Sequence, residues 1–389
     1  MVAIEPTRAR ERRTPDHADF ARTGPDTQAG RYLRLYWQPV MKSADLEPGH
    51  AKPIKIMSED FTLYRGEDGA PHVVAFRCAH RGTQLSTGWV EGDCLRCFYH
   101  GWKYDSTGQC VEMPAEDPSF PPKVKIRAYP TEEYLGLIWA YLGEGEAPPL
   151  RRFPQLEQER PSEGVIRQTL GGNVLPFNYV NNLENDPAHV PFVHRSTAFF
   201  QDVPQVESEE TEYGSRESVM TDSRGFIGYV HRIMPNTRLF TIPVPDGGWA
   251  EFFLWLVPVD DEHHMGFGVL MNHLTPEAQA KFRERGAGKR WLPRNAAQLE
   301  ETAAAVLRGD LRIDDVEDKS TIELVQDMVS QWGQGTIRDR EHERLGRSDR
   351  GVILLRGLWE RELRALAEGR PLKEWTIPER MELSPTYHG

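Results

Sequence analysis

"CAHRGTQLSTGWVEGDCLRCFYHGW", residues 78–102, holds three of the chain's four cysteines together with two histidines. One residue separates Cys78 from His80, two separate Cys97 from His100, and sixteen lie between the pairs. A zinc finger places two cysteines in one knuckle and two histidines on a helix. Here each knuckle carries one of each and runs into a glycine, Gly82 or Gly101. That split suits a two-iron cluster in which each loop gives a thiolate to one iron and an imidazole to the other. Neutral imidazoles reduce the negative charge of such a cluster and raise its potential, and the glycines let backbone amides come close to its sulfides. Cys94 and Cys97 also form a C-x-x-C that Cys110 could extend to a zinc knuckle. The simpler reading of Cys94 and Cys110 is two buried free thiols.

Around this stretch the pattern is one of short strands. "FTLYRG", a turn at "EDGA" and "HVVAF" read as a hairpin, and "LGLIWAYLG" as a further strand. A small all-β domain over residues 35–145 is expected. Residues 1–34 would precede it as a mobile or surface-lying arm, and the Pro-rich, charged stretch 144–155 marks a boundary. Residues 146–389 read as a larger mixed domain. In it "WAEFFLWLVPV" and "HMGFGVLMNHL", joined by "DDEHH", make an antiparallel hairpin. "TPEAQAKFRERG" has Thr275 as N-cap and Pro276 at the first helical position, and "DRGVILLRGLWERELRALAEG" has helical periodicity with a glycine stop. The fold class is therefore α+β: a small all-β domain, then a central antiparallel sheet flanked by helices.

Composition limits the partners. The chain has 389 residues, a net charge of -12 and a pI near 5.6, which argues against a nucleic-acid or anionic-membrane surface. Its apolar runs fall short of the ~20 residues that cross a bilayer. No apolar segment follows the arginines of residues 1–30, so no secretory signal is expected and the cytoplasm is the expected compartment, with thiols or metal ligands in place of disulfides. "GEGEAP" is one glycine short of G-x-G-x-x-G, and there is no P-loop, so neither nicotinamide nor ATP is expected to bind.

With "GRYLRLYWQPV" upstream and "GWKYDSTGQCVEMPAE" downstream, the cysteine–histidine stretch resembles the Rieske domain of the oxygenase component of Rieske non-heme iron oxygenases. The resemblance runs from about residue 31 to near the end, and implies a Rieske 2Fe-2S cluster on Cys78, His80, Cys97 and His100. A second test is a mononuclear iron site. Asp186, His189 and His194 follow D-x-x-H-x-x-x-x-H, and oxygen-activating ferrous iron takes two imidazoles and one carboxylate on one face. Positions five apart on an ideal helix lie about 140° apart, so His189 and His194 need a distortion to converge, which Pro191 offers. Asp186 before Pro187 reads as an N-cap.

For the third iron ligand, "VQDMVSQWGQGTIRDREHERLGRSDRG" resembles the matching segment of the phthalate-dioxygenase-like branch, and on that match the ligand is Asp327. Asp339 and Asp349 compete, but read more simply as ion-pair or capping residues. Trp332 stands where many relatives have Glu, marking a changed pocket or a changed core contact. Asp186 is expected to link the centres. Three residues before His189, its carboxylate could accept that ring's N–H, and by resemblance its other oxygen would face His80 or His100 of the partner subunit. The resemblance further implies a homotrimer, a separate NAD(P)H-dependent flavin and iron–sulfur reductase, and hydroxylation or oxidative demethylation of a small aromatic acid or aryl ether with O2. Arg195, beside His194, reads as a surface or interface arginine before it reads as a carboxylate clamp. A pure electron carrier and a zinc-stabilised binding protein are the rival classes.

Overall fold

The computed structural model describes residues 19–196, 200–244, 247–285, 296–319 and 321–383. The first half is built of three small antiparallel sheets, as its short apolar runs between turn residues require. Glu59–Arg65 and Pro71–Ala75 pair across the "EDGA" turn and continue into a four-stranded sheet with Ala51–Ile56 and Ala128–Tyr129. A second four-stranded sheet, Trp89–Glu91, Cys94–Arg96, Lys103–Tyr104 and Cys110–Glu112, carries the cysteine–histidine loops. Leu137–Ala140 sits between Gln38–Lys42 and Thr131–Tyr134 in a third sheet.

The second half centres on an eight-stranded antiparallel sheet. Its longest members, Gly248–Pro258 and His264–Leu274, form the expected hairpin around residues 259–263. Their alternation buries Phe253, Trp255, Phe267 and Val269 against the core. The short helix Tyr179–Leu183 packs into this same core, while the helices Ala296–Arg308 and Ile322–Trp332 lie on the other face, that of Phe252 and Leu254. Helix Pro276–Arg285 starts where expected, with Thr275 Oγ1 accepting from the Ala278 N–H at 3.3 Å, and Arg350–Ala367 forms the long C-terminal helix.

Residues 19–34 correct the expected surface-lying arm, while residues 1–18 lie outside the described residues. Helix Gln28–Arg34 buries Tyr32 and Leu33, and Phe20 stacks on Trp359 of the C-terminal helix at 5.3 Å. The short polar segment is held because its few apolar side chains cover an aromatic face that would otherwise meet water. One apolar core runs from Ile56, Phe61 and Trp139 in the first half to Phe253, Trp255 and Leu363 in the second. The turn Met57–Ser58 adds two backbone bonds across the halves, to Pro258 O and Val259 O, both 2.8 Å. Among the described residues no helix is long and apolar enough to cross a membrane.

Candidate metal centres

The two cysteine–histidine loops are built as the same turn. In each, the cysteine carbonyl accepts from the glycine four residues on (Gly82 to Cys78, 2.9 Å; Gly101 to Cys97, 3.1 Å), and the cysteine N–H donates to the next carbonyl, Thr83 or Trp102, at 2.8 Å. Gly82 and Gly101 hold φ of 77° and 73°, a left-handed backbone that a side chain would strain. The loops are pinned together where His80 stacks on Trp102 at 4.6 Å, and the His80 and His100 rings lie 4.5 Å apart. Cys78 and Cys97 are buried, and His80 Nδ1 is a buried polar atom with no hydrogen-bond partner. Tyr104 Oη accepts the Ala79 N–H and lies 3.2 Å from Cys78 Sγ. Burial, more than any neighbour, pushes the Cys78 thiol up, against the Tyr104 hydroxyl, which favours the thiolate.

Four donors of one tetrahedral zinc would lie within about 3.8 Å of one another, given a Zn–S bond near 2.3 Å. Among the described residues the group of three ligand-type side chains whose atoms fall within 4.8 Å of one another is a different one: His189, His194 and Asp327. No three of Cys78, His80, Cys97 and His100 bring their ligand atoms that close, a spread too wide for a single tetrahedral ion. Cys94, half-buried against Asp93, and Cys110, buried, are both free.

Convergence of His189 and His194 comes from a break in the helix. Pro187–His189 is a 3-10 turn and Val190–Val193 a separate α turn with Pro191 as its second residue, so the 140° problem of a continuous helix does not arise. The rings lie 5.2 Å apart. Asp327, from helix Ile322–Trp332, sets Oδ1 3.7 Å from His189 Nε2 and 3.3 Å from His194 Nε2. That oxygen is buried and accepts no hydrogen bond, as a carboxylate turned toward a cation would be. The residue before it, Gln326, accepts from His194 Nδ1 at 2.9 Å and so presents Nε2 to Asp327. Its partner lies 132 positions away, so no local signal in the sequence marks it. Burial lowers the His189 pKa. At His194 burial acts the same way, but the Asp327 carboxylate and Gln326 outweigh it and raise the pKa.

Asp186 departs from expectation in one respect. Its Oδ1 caps the turn by accepting the Ala188 N–H at 2.7 Å, and it is the Asp186 backbone carbonyl, not the carboxylate, that meets His189 Nδ1. A 3-10 turn is tight enough to bring that carbonyl under the ring three residues on. Asp339 takes the Glu341 N–H and His342, and Asp349 the Gly346 N–H, as capping residues. Trp332 packs with Phe177, Leu299 and Val325 in a helix-side core, a core contact. Arg195 is exposed and paired with the exposed Asp314 at 2.8 Å.

His189, His194 and Asp327 open on a cavity of about 500 Å³. Its floor is the sheet face of Val230, Phe240, Phe252 and Leu254, and its wall includes Val190, Leu299 and Met328. Gly268 leaves room for the Phe252 ring, which a Cβ would meet at 2.5 Å. Glu300 and Glu323 lie on the exposed side of the lining, and Arg238, Asn182 and Gln331 are its buried polar members.

Residues 36–130 match the Rieske [2Fe-2S] domain family. The chain is 30% identical over 371 residues to the 5,5'-dehydrodivanillate O-demethylase oxygenase subunit of Sphingobium sp. (strain NBRC 103272 / SYK-6), covering 91% of this chain and 81% of that one. It is also 30% identical to the phenoxybenzoate dioxygenase subunit alpha of Ectopseudomonas oleovorans, over 91% of this chain and 87% of that one. Its fold is similar to that of NdmA from Pseudomonas putida CBB5, with a TM-score of 0.63 at 19% identity, covering 88% of this chain and 94% of that one.

Proposed function

The chain belongs to the Rieske non-heme iron oxygenases, as an oxygenase subunit, and from that premise we propose that it is the terminal oxygenase that hydroxylates or oxidatively demethylates an aromatic acid or aryl ether. Cys78, His80, Cys97 and His100 hold the 2Fe-2S cluster, and His189, His194 and Asp327 hold the mononuclear iron. Bound there, the cluster relays single electrons and the ferrous ion activates dioxygen, which is the chemistry the two groups supply.

The chain's own residues do the rest. Gln326 and the Asp186 carbonyl take the Nδ1 protons of His194 and His189, leaving each Nε2 lone pair for a metal. Three ligands on one side leave the cavity side open, and the apolar floor seats an aromatic ring while keeping water from the reacting face. The observation that carries the reading is this pairing, in one chain, of a two-loop cysteine–histidine site with a histidine–histidine–aspartate site facing an apolar cavity.

His100 is exposed, and Trp89, Phe98 and Tyr99 near it are 52%, 59% and 58% exposed, a surface suited to burial by another protein. We assign that face to contact with a second copy in a homotrimer, where Asp186 links the two centres between subunits, and to a reductase of the NAD(P)H-dependent flavin and iron–sulfur type. Purified protein is expected to be red-brown with about three irons per chain. With added reductase, labelled dioxygen and a panel of aromatic acids and methyl ethers, mass spectrometry should find label in product. Two irons per chain and no labelled product from any substrate would leave an electron carrier.

A further inference from the structure

Starting behind the cavity and reaching its lining at Asn182 and Arg238, a line of buried polar groups joins a distant strand to the loop that carries His189. His264 is fully buried on strand His264–Leu274, with Nδ1 2.7 Å from Phe177 O. A carbonyl can only accept, so that nitrogen carries the proton, and burial, which lowers the pKa to about 4, keeps the ring neutral. Nε2 is then an acceptor, and Asn182 Nδ2 donates to it at 3.3 Å. This turns Asn182 Oδ1 the other way, to Arg238, whose Nη1 donates to it at 3.3 Å and to the Asn182 backbone carbonyl at 3.2 Å. Both ends thus demand the same orientation of the Asn182 amide. Arg238 Nη2 continues to Asn185 O at 3.0 Å, and the next residue is Asp186, whose carbonyl carries His189. Arg232, anchored by Glu217 at 2.6 Å, holds Leu183 O and Asn185 O from beside it.

We propose that His264, which touches none of the three iron-site side chains, is a positioning residue for the iron loop and acts through Asn182 and Arg238. Its ring fixes which way the Asn182 amide faces, the amide fixes the Arg238 guanidinium, and the guanidinium holds the carbonyls of residues 182 and 185 that set the path into the Asp186–His189 turn. Without His264 the amide has no acceptor for its N–H and is free to turn, which sets an N–H donor against the guanidinium. The inference rests on His189 being an iron ligand, so its test reads iron and cluster separately.

The experiment measures release of the mononuclear iron from reduced holoenzyme to a ferrous chelator, with cluster absorption and thermal midpoint recorded for each variant. His264→Leu should release iron about tenfold faster or more, the range seen when outer partners of metal ligands are lost, with the cluster intact. His264→Gln, which can donate to Phe177 O and accept from Asn182, should return to within about threefold of wild type. His264 and Arg238 act in series, so His264→Leu with Arg238→Met should be little worse than the worse single variant, where independent contributions would multiply. Should the leucine variant fold poorly, Asn182→Leu, which keeps the size but neither donates to His264 nor accepts from Arg238, is expected to give the same acceleration. Wild-type release from His264→Leu or Asn182→Leu, or multiplying effects in the double variant, overturns the proposal. A wild-type protein that holds its cluster and takes up no mononuclear iron overturns the assignment of the iron site instead.

Discussion

Replacing Tyr104 by Phe removes one hydroxyl oxygen from beside the cluster site and little else. Tyr104 is fully buried, and its hydroxyl accepts the Ala79 N–H at 3.2 Å, which leaves its own proton for Cys78 Sγ, also 3.2 Å away. Burial first, and then the neighbouring Cys78, drives the phenol's pKa far up, so it remains a donor at any working pH. A donor at a cluster sulfur favours the reduced, more negative state. A neutral hydrogen bond contributes about 1 kcal/mol net, and one to a charged group roughly twice that. If about half of the stronger bond is gained on reduction, the difference between redox states is about 1 kcal/mol. A tenfold change in equilibrium is ~1.4 kcal/mol and ~59 mV for one electron, so the midpoint potential of Tyr104→Phe should fall by about 40 mV. Spectroelectrochemical titration measures this, with unchanged visible absorption showing that the cluster is still bound. A potential that stays within a few millivolts of wild type, or rises, refutes the reasoning: the hydroxyl would then not be donating to the sulfur.

Asp327→Ala should keep the red colour and lose the mononuclear iron and turnover, since two neutral imidazoles remain where a carboxylate completed the set; full iron by metal analysis would rule the residue out as a ligand. Gln326→Leu should weaken iron binding about 10- to 100-fold without touching the cluster, because the His194 tautomer is no longer fixed, and equal affinity in chelator competition would contradict that. Asp186→Asn retains the cap on Ala188 and should fold and load normally, yet oxidise its pre-reduced cluster very slowly when substrate and O2 are added; stopped-flow rates equal to wild type would leave Asp186 a cap alone. Acid should destabilise the fold through His231 and His264, whose folded pKa values burial lowers to about 4. The unfolded chain binds protons from about pH 6.5, so stability is present above that value and falls as pH drops toward 4, by up to about 3 kcal/mol for each histidine. Denaturant titrations between pH 7 and 4.5 should show a shallower fall for His231→Gln, and parallel curves would show that this histidine does not contribute.

The paired cysteine–histidine loops, the approach of His189 to His194 and the sheet hairpin were legible in the sequence because their information is local. A cysteine, a histidine and a glycine within five residues define a turn, and alternation over eleven residues defines a strand. Asp327 needed the family resemblance, since nothing near it distinguishes one carboxylate from Asp339 or Asp349. Gln326, Asn182, His264 and Arg238 went unread because each takes its meaning from a partner far along the chain, 132 positions for Gln326 and 82 for Asn182 with His264. The arm at 19–34 was misread for the same reason. Its composition is that of a surface segment, and only Trp359 shows why Phe20 and Tyr32 are inside. The Asp186 carboxylate was correctly read as a cap, but the sequence does not show that capping draws it away from the ring it was expected to orient.

The apolar core that passes unbroken from Trp139 to Trp255, whose rings meet edge to face at 5.2 Å, also governs how electrons can travel. A carrier domain on a tether delivers its charge by swinging, and its rate is set by how often it visits the acceptor. Here the cluster half and the iron half are clamped by shared aromatic rings and by the Met57–Ser58 turn on Pro258 and Val259. Separating them would expose that interior to water at a cost of about 25 cal/mol for each Å². The distance between the two sites of one chain is thus settled when the chain folds, and turnover cannot adjust it. Such a subunit behaves as a fixed circuit element, and in the homotrimer proposed above the gap an electron crosses would be chosen by which copies stand next to each other.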